Sequence, residues 1–181
     1  MKRLQFILMP LIMLLLCTSC SASITGKIVD AETGQPIEGA ILLVEWTKVH
    51  GFGNTYTTSE KAVEVFSDKN GVVYIPGYND PTVGKPDITV YKPGYVAWNN
   101  QWIFPDRRNR TDFEWKDGYV FKLDKFKEGY SYVLHESFVS LCINIGQQNT
   151  NKNLLWSMYS QHEEDKYLKE LRNKKSEEHK Q

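Results

Sequence analysis

The chain is predicted to be mainly β, a β-sandwich with a helical appendage at its C-terminal end. Three observations predict this. Short runs rich in Val, Ile, Tyr and Phe recur between clusters of Gly, Pro, Asn and Asp; one run alternates apolar with polar residues; and after about residue 128 the apolar period changes from strand-like to helical. The runs are Ile24 to Asp30, Ala40 to Trp46, Ala62 to Phe66, Val72 to Ile75, Ile88 to Tyr91 and Tyr119 to Leu123. Between them stand Glu32-Thr33-Gly34-Gln35-Pro36, Asp68-Lys69-Asn70-Gly71, Pro76-Gly77-Tyr78-Asn79-Asp80-Pro81 and Lys92-Pro93-Gly94, each supplying residues that accept the backbone geometry of a turn. Val63 and Val65 flank Glu64 as in a half-buried strand, whereas Ile41-Leu42-Leu43-Val44 is apolar on both faces and belongs in the centre of a sheet. Ile28, Ile41, Leu43, Val63, Val65, Ile88 and Val90 are expected to face one shared core, with Gly34 and Gly71 in turns.

The sandwich is expected over 20–128 and the helical appendage over 129–172. Leu134, Phe138, Leu141, Cys142 and Ile145 recur along one stripe of a helix, and Gly146 stands where a C-terminal cap is expected. A strand through Val139, Leu141, Ile143 and Ile145 is the rival reading. After a polar loop, Asn153 can cap a second helix from Leu154 to about Arg172. In it Leu154, Leu155, Met158 and Tyr159 point nearly opposite to Tyr167, Leu168 and Leu171, so the helix kinks near Glu163 or its halves meet different surfaces. The tail, 173–181, is charged and expected in solvent.

The N-terminus reads as an export signal. Lys2 and Arg3 precede a mostly apolar run, Phe6 to Cys17, and then the small residues Thr18 and Ser19 before Cys20. The run is shorter than the roughly 17 to 25 residues a membrane-spanning helix needs. Its ending resembles bacterial lipoprotein signals, which implies removal of residues 1–19 and lipidation of Cys20. A membrane is then a partner through the N-terminal lipid, since several acyl chains anchor stably where one does not. Ser21 after the cysteine implies the outer membrane, facing the periplasm. The alternative is a plain secretory signal cut near Ala22.

Removal of the first 19 of 181 residues leaves 162, enough for one domain with a sizeable core and an appendage. The 22 basic and 22 acidic residues balance, and loss of Lys2 and Arg3 leaves the mature chain slightly acidic, so no nucleic-acid partner is expected. With Cys20 acylated only Cys142 remains, so the fold must rest on burial without an internal disulfide; Cys142, in the apolar stretch Phe138 to Ile143, is expected to be a packing residue.

Thr25-Gly26-Lys27-Ile28-Val29-Asp30-Ala31-Glu32-Thr33-Gly34-Gln35-Pro36-Ile37-Glu38-Gly39-Ala40 resembles the opening of carboxypeptidase regulatory-like domains. Ser67 to Tyr74 resembles that family's later hairpin, and Ile88-Thr89-Val90-Tyr91-Lys92-Pro93-Gly94-Tyr95 its Lys-Pro-Gly-Tyr strand end. The resemblance spans roughly Ile24 to Asp124. It implies a Greek-key, prealbumin-like (transthyretin-like) sandwich and a noncatalytic character, but no particular ligand. A related pilin-type sandwich places a core-facing Lys two positions before the Asp of the first turn and an Asn on the last strand. Here Ile28 holds the first position and Phe121-Lys122-Leu123 offers no Asn, which argues against a Lys-Asn crosslink.

No cofactor or metal site is expected. His50, His135, His162 and His179 lack ligand spacing, and Asp68-Lys69-Asn70-Gly71 lacks the first and last ligands of a calcium loop. Ser137, Ser140 and His135 form no nucleophile elbow. The one suggestive density is Tyr95 to Trp115, where Trp98, Trp102 and Trp115 occur among Arg107, Arg108 and Arg110. Indole faces beside guanidinium groups suit a glycan, an envelope protein or simple core filling. The functional expectation is therefore a lipid-anchored, noncatalytic binding or assembly module of the cell envelope. The alternative is a carbohydrate-binding lipoprotein using Trp98, Trp102, Trp115, Arg107 and Arg108.

Overall fold

A computed structural model describes residues 23–143, 169–170 and 172–173. The β-branched and aromatic runs form β1 (Ile24–Asp30), β2 (Ile41–His50), β3 (Tyr56–Phe66), β4 (Val72–Ile75), β5 (Asp87–Tyr91), β6 (Trp98–Asn99), β7 (Trp102–Ile103), β8 (Arg108–Asn109) and β9 (Tyr119–Leu123), followed by helix α1 (Tyr132–Leu141). All six expected strands are present, and β2 and β3 run further toward each other than expected.

The strands make a three-stranded sheet in the order β4-β1-β9, a four-stranded sheet in the order β3-β2-β5-β6, and a small β7-β8 ribbon. β1 lies antiparallel to β4, with Ile24 opposite Ile75, and parallel to β9, with Ile28 opposite Phe121. β2 is antiparallel to both β3 and β5. The chain passes from one sheet to the other between β1 and β2, β3 and β4, and β4 and β5, the crossings of a Greek-key sandwich. Gly26 permits the close stacking at β1: a Cβ there would stand 2.6 Å from the Phe121 ring. Gly71 adopts φ of 75° in the β3-β4 turn while its carbonyl accepts the Ile28 N–H at 2.7 Å.

Two cores result. Between the sheets lie Ile28, Leu42, Val44, Trp46, Ile75, Ile88, Val90, Phe121 and Leu123, with Val63 and Val65 half-buried against them. Ile41 and Leu43 do not join that core, contrary to expectation. Successive side chains of a strand face opposite ways, so in the run Ile41 to Val44 only the even positions can point into the sandwich. Ile41 and Leu43 instead meet Tyr91, Val96, Ala97, Phe104, Phe138 and Cys142 on the outer face of the larger sheet.

Helix α1 is what covers that face. Its N-cap is Ser131, whose side chain accepts the Leu134 N–H, and Glu170 completes the cap by accepting from Ser131 Oγ at 3.0 Å and from the Tyr132 N–H at 2.8 Å. The buried stripe differs from the one expected. His135, Phe138 and Cys142 are buried, whereas Leu134 and Leu141 are 57% and 48% exposed. The rotation arises because His135 has a specific partner: its Nε2 accepts the Ala97 N–H at 2.9 Å, and its ring lies 5.2 Å from those of Phe104 and Phe126. Residues 132–141 are helical, so the rival strand through Val139 and Leu141 is not formed. Ile145, Gly146, Asn153 and the suspected kink at Glu163 lie outside the described residues; 169–170 and 172–173 are helical.

Candidate functional site

The tryptophan-rich stretch divides among separate surroundings. Trp98, on β6, is 5% exposed and sits in the inter-sheet core, its ring 5.0 Å from Phe121, 5.6 Å from Phe113 and 5.9 Å from Tyr119. Its remaining face is covered by Arg110, whose guanidinium lies 4.5 Å from the ring centroid while Nε donates to the Asn99 carbonyl at 2.7 Å. Trp115 packs half-buried against the same core, and Trp102 half-buried against the second one. Arg107, in left-handed backbone at φ 55°, donates from Nη2 to Ser137 Oγ on α1 at 2.8 Å. Arg108 is exposed and pairs with Asp106 at 3.7 Å. The three indoles therefore do not form one platform.

Trp102 does line a cleft of about 300 Å³, together with Thr47, Val49, Thr57, Asp87, Gln101 and Leu141. Its polar floor is engaged within the protein. Buried Asn99 donates to the Ile88 carbonyl and to Thr89 Oγ1, and its Oδ1 accepts the N–H groups of Gln101 and Trp102 at 2.8 and 2.9 Å. Gln101 Nε2 donates to Asp87, and Thr89 Oγ1 to the Cys142 carbonyl at 3.2 Å. Burial pushes the Cys142 thiol up to about 12, so at neutral pH it is protonated and no nucleophile. Among the described residues no group of three His, Cys, Asp or Glu could hold a metal, and no helix is long and apolar enough to cross a membrane.

Asp30, Tyr95 and Lys125 meet at the opposite end of the sandwich. Buried Asp30 Oδ1 accepts the N–H groups of Glu32 and Thr33 at 3.0 and 2.9 Å, building the first turn, while Oδ2 accepts the Tyr95 hydroxyl at 3.1 Å and faces Lys125 Nζ at 3.5 Å. The Thr33 N–H above all, then those of Glu32 and the Thr33 and Tyr95 side chains, outweigh burial and hold the carboxyl at about 2. Burial, then Asp30, push the Tyr95 hydroxyl up. Because the folded carboxyl lies below its ordinary 3.8, Asp30 stabilises fully above about pH 4 and loses its contribution as pH falls toward 2. Asp30→Asn is therefore expected to lower Tm at pH 7, with the deficit shrinking as pH falls through that window. Parallel melting curves against pH check this; a constant deficit would contradict it.

One feature escaped the sequence reading. Beyond Glu45 β2 has no β5 neighbour, so Thr47 to His50 paired with Tyr56 to Ser59 form a two-stranded arm beyond the sheet. At its tip Phe52 is fully exposed at 104%, between Gly51 and Gly53 at φ 92° and 85°, and Val49 and Tyr56 are 66% and 59% exposed. The β-branched residues of 47–59 and the Gly-Phe-Gly-Asn turn were the available signal. Cys20 lies outside the described residues, and β1 begins at Ile24.

No protein-family model matches the chain, and no curated protein does. Among solved structures it is similar to the C-terminal domain of the shaft pilin SpaA from Lactobacillus rhamnosus GG, at 17% identity over 58% of this chain and 98% of that one, with a TM-score of 0.33. It is similar also to a mutant of the shaft pilin from the same organism, at 19% identity over 59% of this chain and 47% of that one, with a TM-score of 0.33.

Proposed function

We propose that this chain is a lipid-anchored, noncatalytic binding or assembly module of the bacterial cell envelope, held at the outer membrane and facing the periplasm. The observation that carries the reading is the start of β1 at Ile24, four residues after Cys20. With the export signal removed and Cys20 acylated, that spacing leaves no long linker, so the sandwich sits against the bilayer. The carboxypeptidase regulatory-like assignment is supported by the junction of Asp30 with Tyr95, which ties the resembling first turn to the resembling Lys-Pro-Gly-Tyr segment. Noncatalytic character is supported by the cleft, where Asn99, Gln101, Asp87 and Thr89 are engaged with one another and with backbone. Cys20→Ala is expected to abolish acyl labelling and release the protein from membranes. Intact-mass analysis showing an unmodified N-terminus beyond Cys20 would count against the anchor and favour the plain secretory form.

A further inference from the structure

We propose that the tip of the β2-β3 arm is a second membrane contact, with Phe52 seated at the boundary between headgroups and acyl chains beside the lipid anchor. This rests on the anchoring of Cys20 proposed above. β1 starts at Ile24, which pairs with Ile75 at the end of β4, and three residues past Ile75 the Tyr78 ring lies 5.6 Å from that of Trp46. Lys61 Nζ stands 5.1 Å from both rings and closes the cluster. Trp46 is where the arm leaves the sheet, so the arm projects from the end of the sandwich at which the N-terminal tether emerges.

Reach follows from chain geometry. Four residue steps from Cys20 to Ile24 extend to about 14 Å at most. Trp46 to Phe52, at about 3.3 Å per residue, extends about 20 Å. A sandwich held on so short a tether brings an arm of this length to the bilayer. The arm is also organised to keep its shape: Thr58 Oγ1 donates to Glu60 Oε1 at 2.6 Å and stands 2.8 Å from His50 Nε2, and the Tyr56 ring stacks on His50 at 5.1 Å.

Composition selects the occupant. No carboxylate side chain occurs between Glu45 and Glu60, whereas Lys48, His50, Phe52 and Tyr56 do. An apolar ring at the tip, an amphipathic Tyr behind it and a cation further back match the order of acyl boundary, headgroup and anionic surface met on leaving a bilayer. Two glycines flanking Phe52 let the ring stand clear of the strands.

The test uses the full-length lipoprotein, matured in bacteria and reconstituted into vesicles of phosphatidylethanolamine and phosphatidylglycerol. Phe52→Cys is labelled with an environment-sensitive nitrobenzoxadiazole maleimide, and Asn70→Cys, in the β3-β4 turn at the far end, serves as the reference. Cys142 is buried and Cys20 is consumed by acylation, so each variant carries one reactive thiol. The label at 52 is expected to emit to the blue of the label at 70 and to be quenched several-fold more by nitroxide lipids. Equal emission and quenching at the two positions, in protein that floats with the vesicles, would overturn the tip contact and leave the anchor standing. A shift seen in native membranes but not in pure lipid would overturn it in favour of a protein partner. Protein that fails to float would overturn both.

Discussion

Replacing Phe138 with Ala is expected to destabilise the protein by about 3 to 5 kcal/mol, the range for removing a buried aromatic ring from a packed core. Phe138 is 1% exposed, its ring lies 5.6 Å from that of Phe104, and it belongs to the cluster that buries Ile41 and Leu43 on the outer face of the larger sheet. The residue lies on α1, so the loss would show that this helix is needed to seal the outer face of β2. Denaturant unfolding of the purified protein measures it through the midpoint at constant slope. A loss below about 1 kcal/mol would mean that the sandwich keeps its stability without the helix contact.

Trp98→Ala is expected to have an effect of similar size, about 3 to 5 kcal/mol. The indole is packed among Phe113, Tyr119 and Phe121 and covered by Arg110, so its removal opens a void between the sheets and takes away the ring on which the Arg110 guanidinium rests, leaving that group its bonds to the Asn99 carbonyl and Asp112. Trp102→Ala, at a half-buried position on the cleft wall, should cost clearly less. The two variants together separate packing from recognition. If Trp98 were a contact surface for a glycan, its loss would lower affinity and leave the melting temperature unchanged, which is the result that would reverse this assignment.

Local rules made much of the fold legible. Turn residues at Thr33-Gly34, Asn70-Gly71 and Pro93-Gly94 and the β-branched runs between them act through backbone conformation and period-two alternation, both properties of a few neighbouring residues. Asp30 and Tyr95 were likewise visible as motif residues, but their hydrogen bond spans 65 positions and is a product of topology.

The same boundary governs the candidate site. The density of tryptophans between Trp98 and Trp115 was plain in the sequence, yet β6 turns one indole into the inter-sheet core while β7 places the next over the outer one. The arm was missed because its alternating polar residues carry little apolar signal, and its exposure follows from where β5 stops pairing with β2. Composition and local pattern thus determined six of the nine strands described, the turns between them and the chain's mainly β class. Only the tertiary structure decided which face of Ile41 to Val44 is covered by what, and that His135 rather than Leu134 turns inward. The reason is that burial depends on partners far along the chain, Ala97 and Phe138 among them, and no local rule encodes which distant surface arrives.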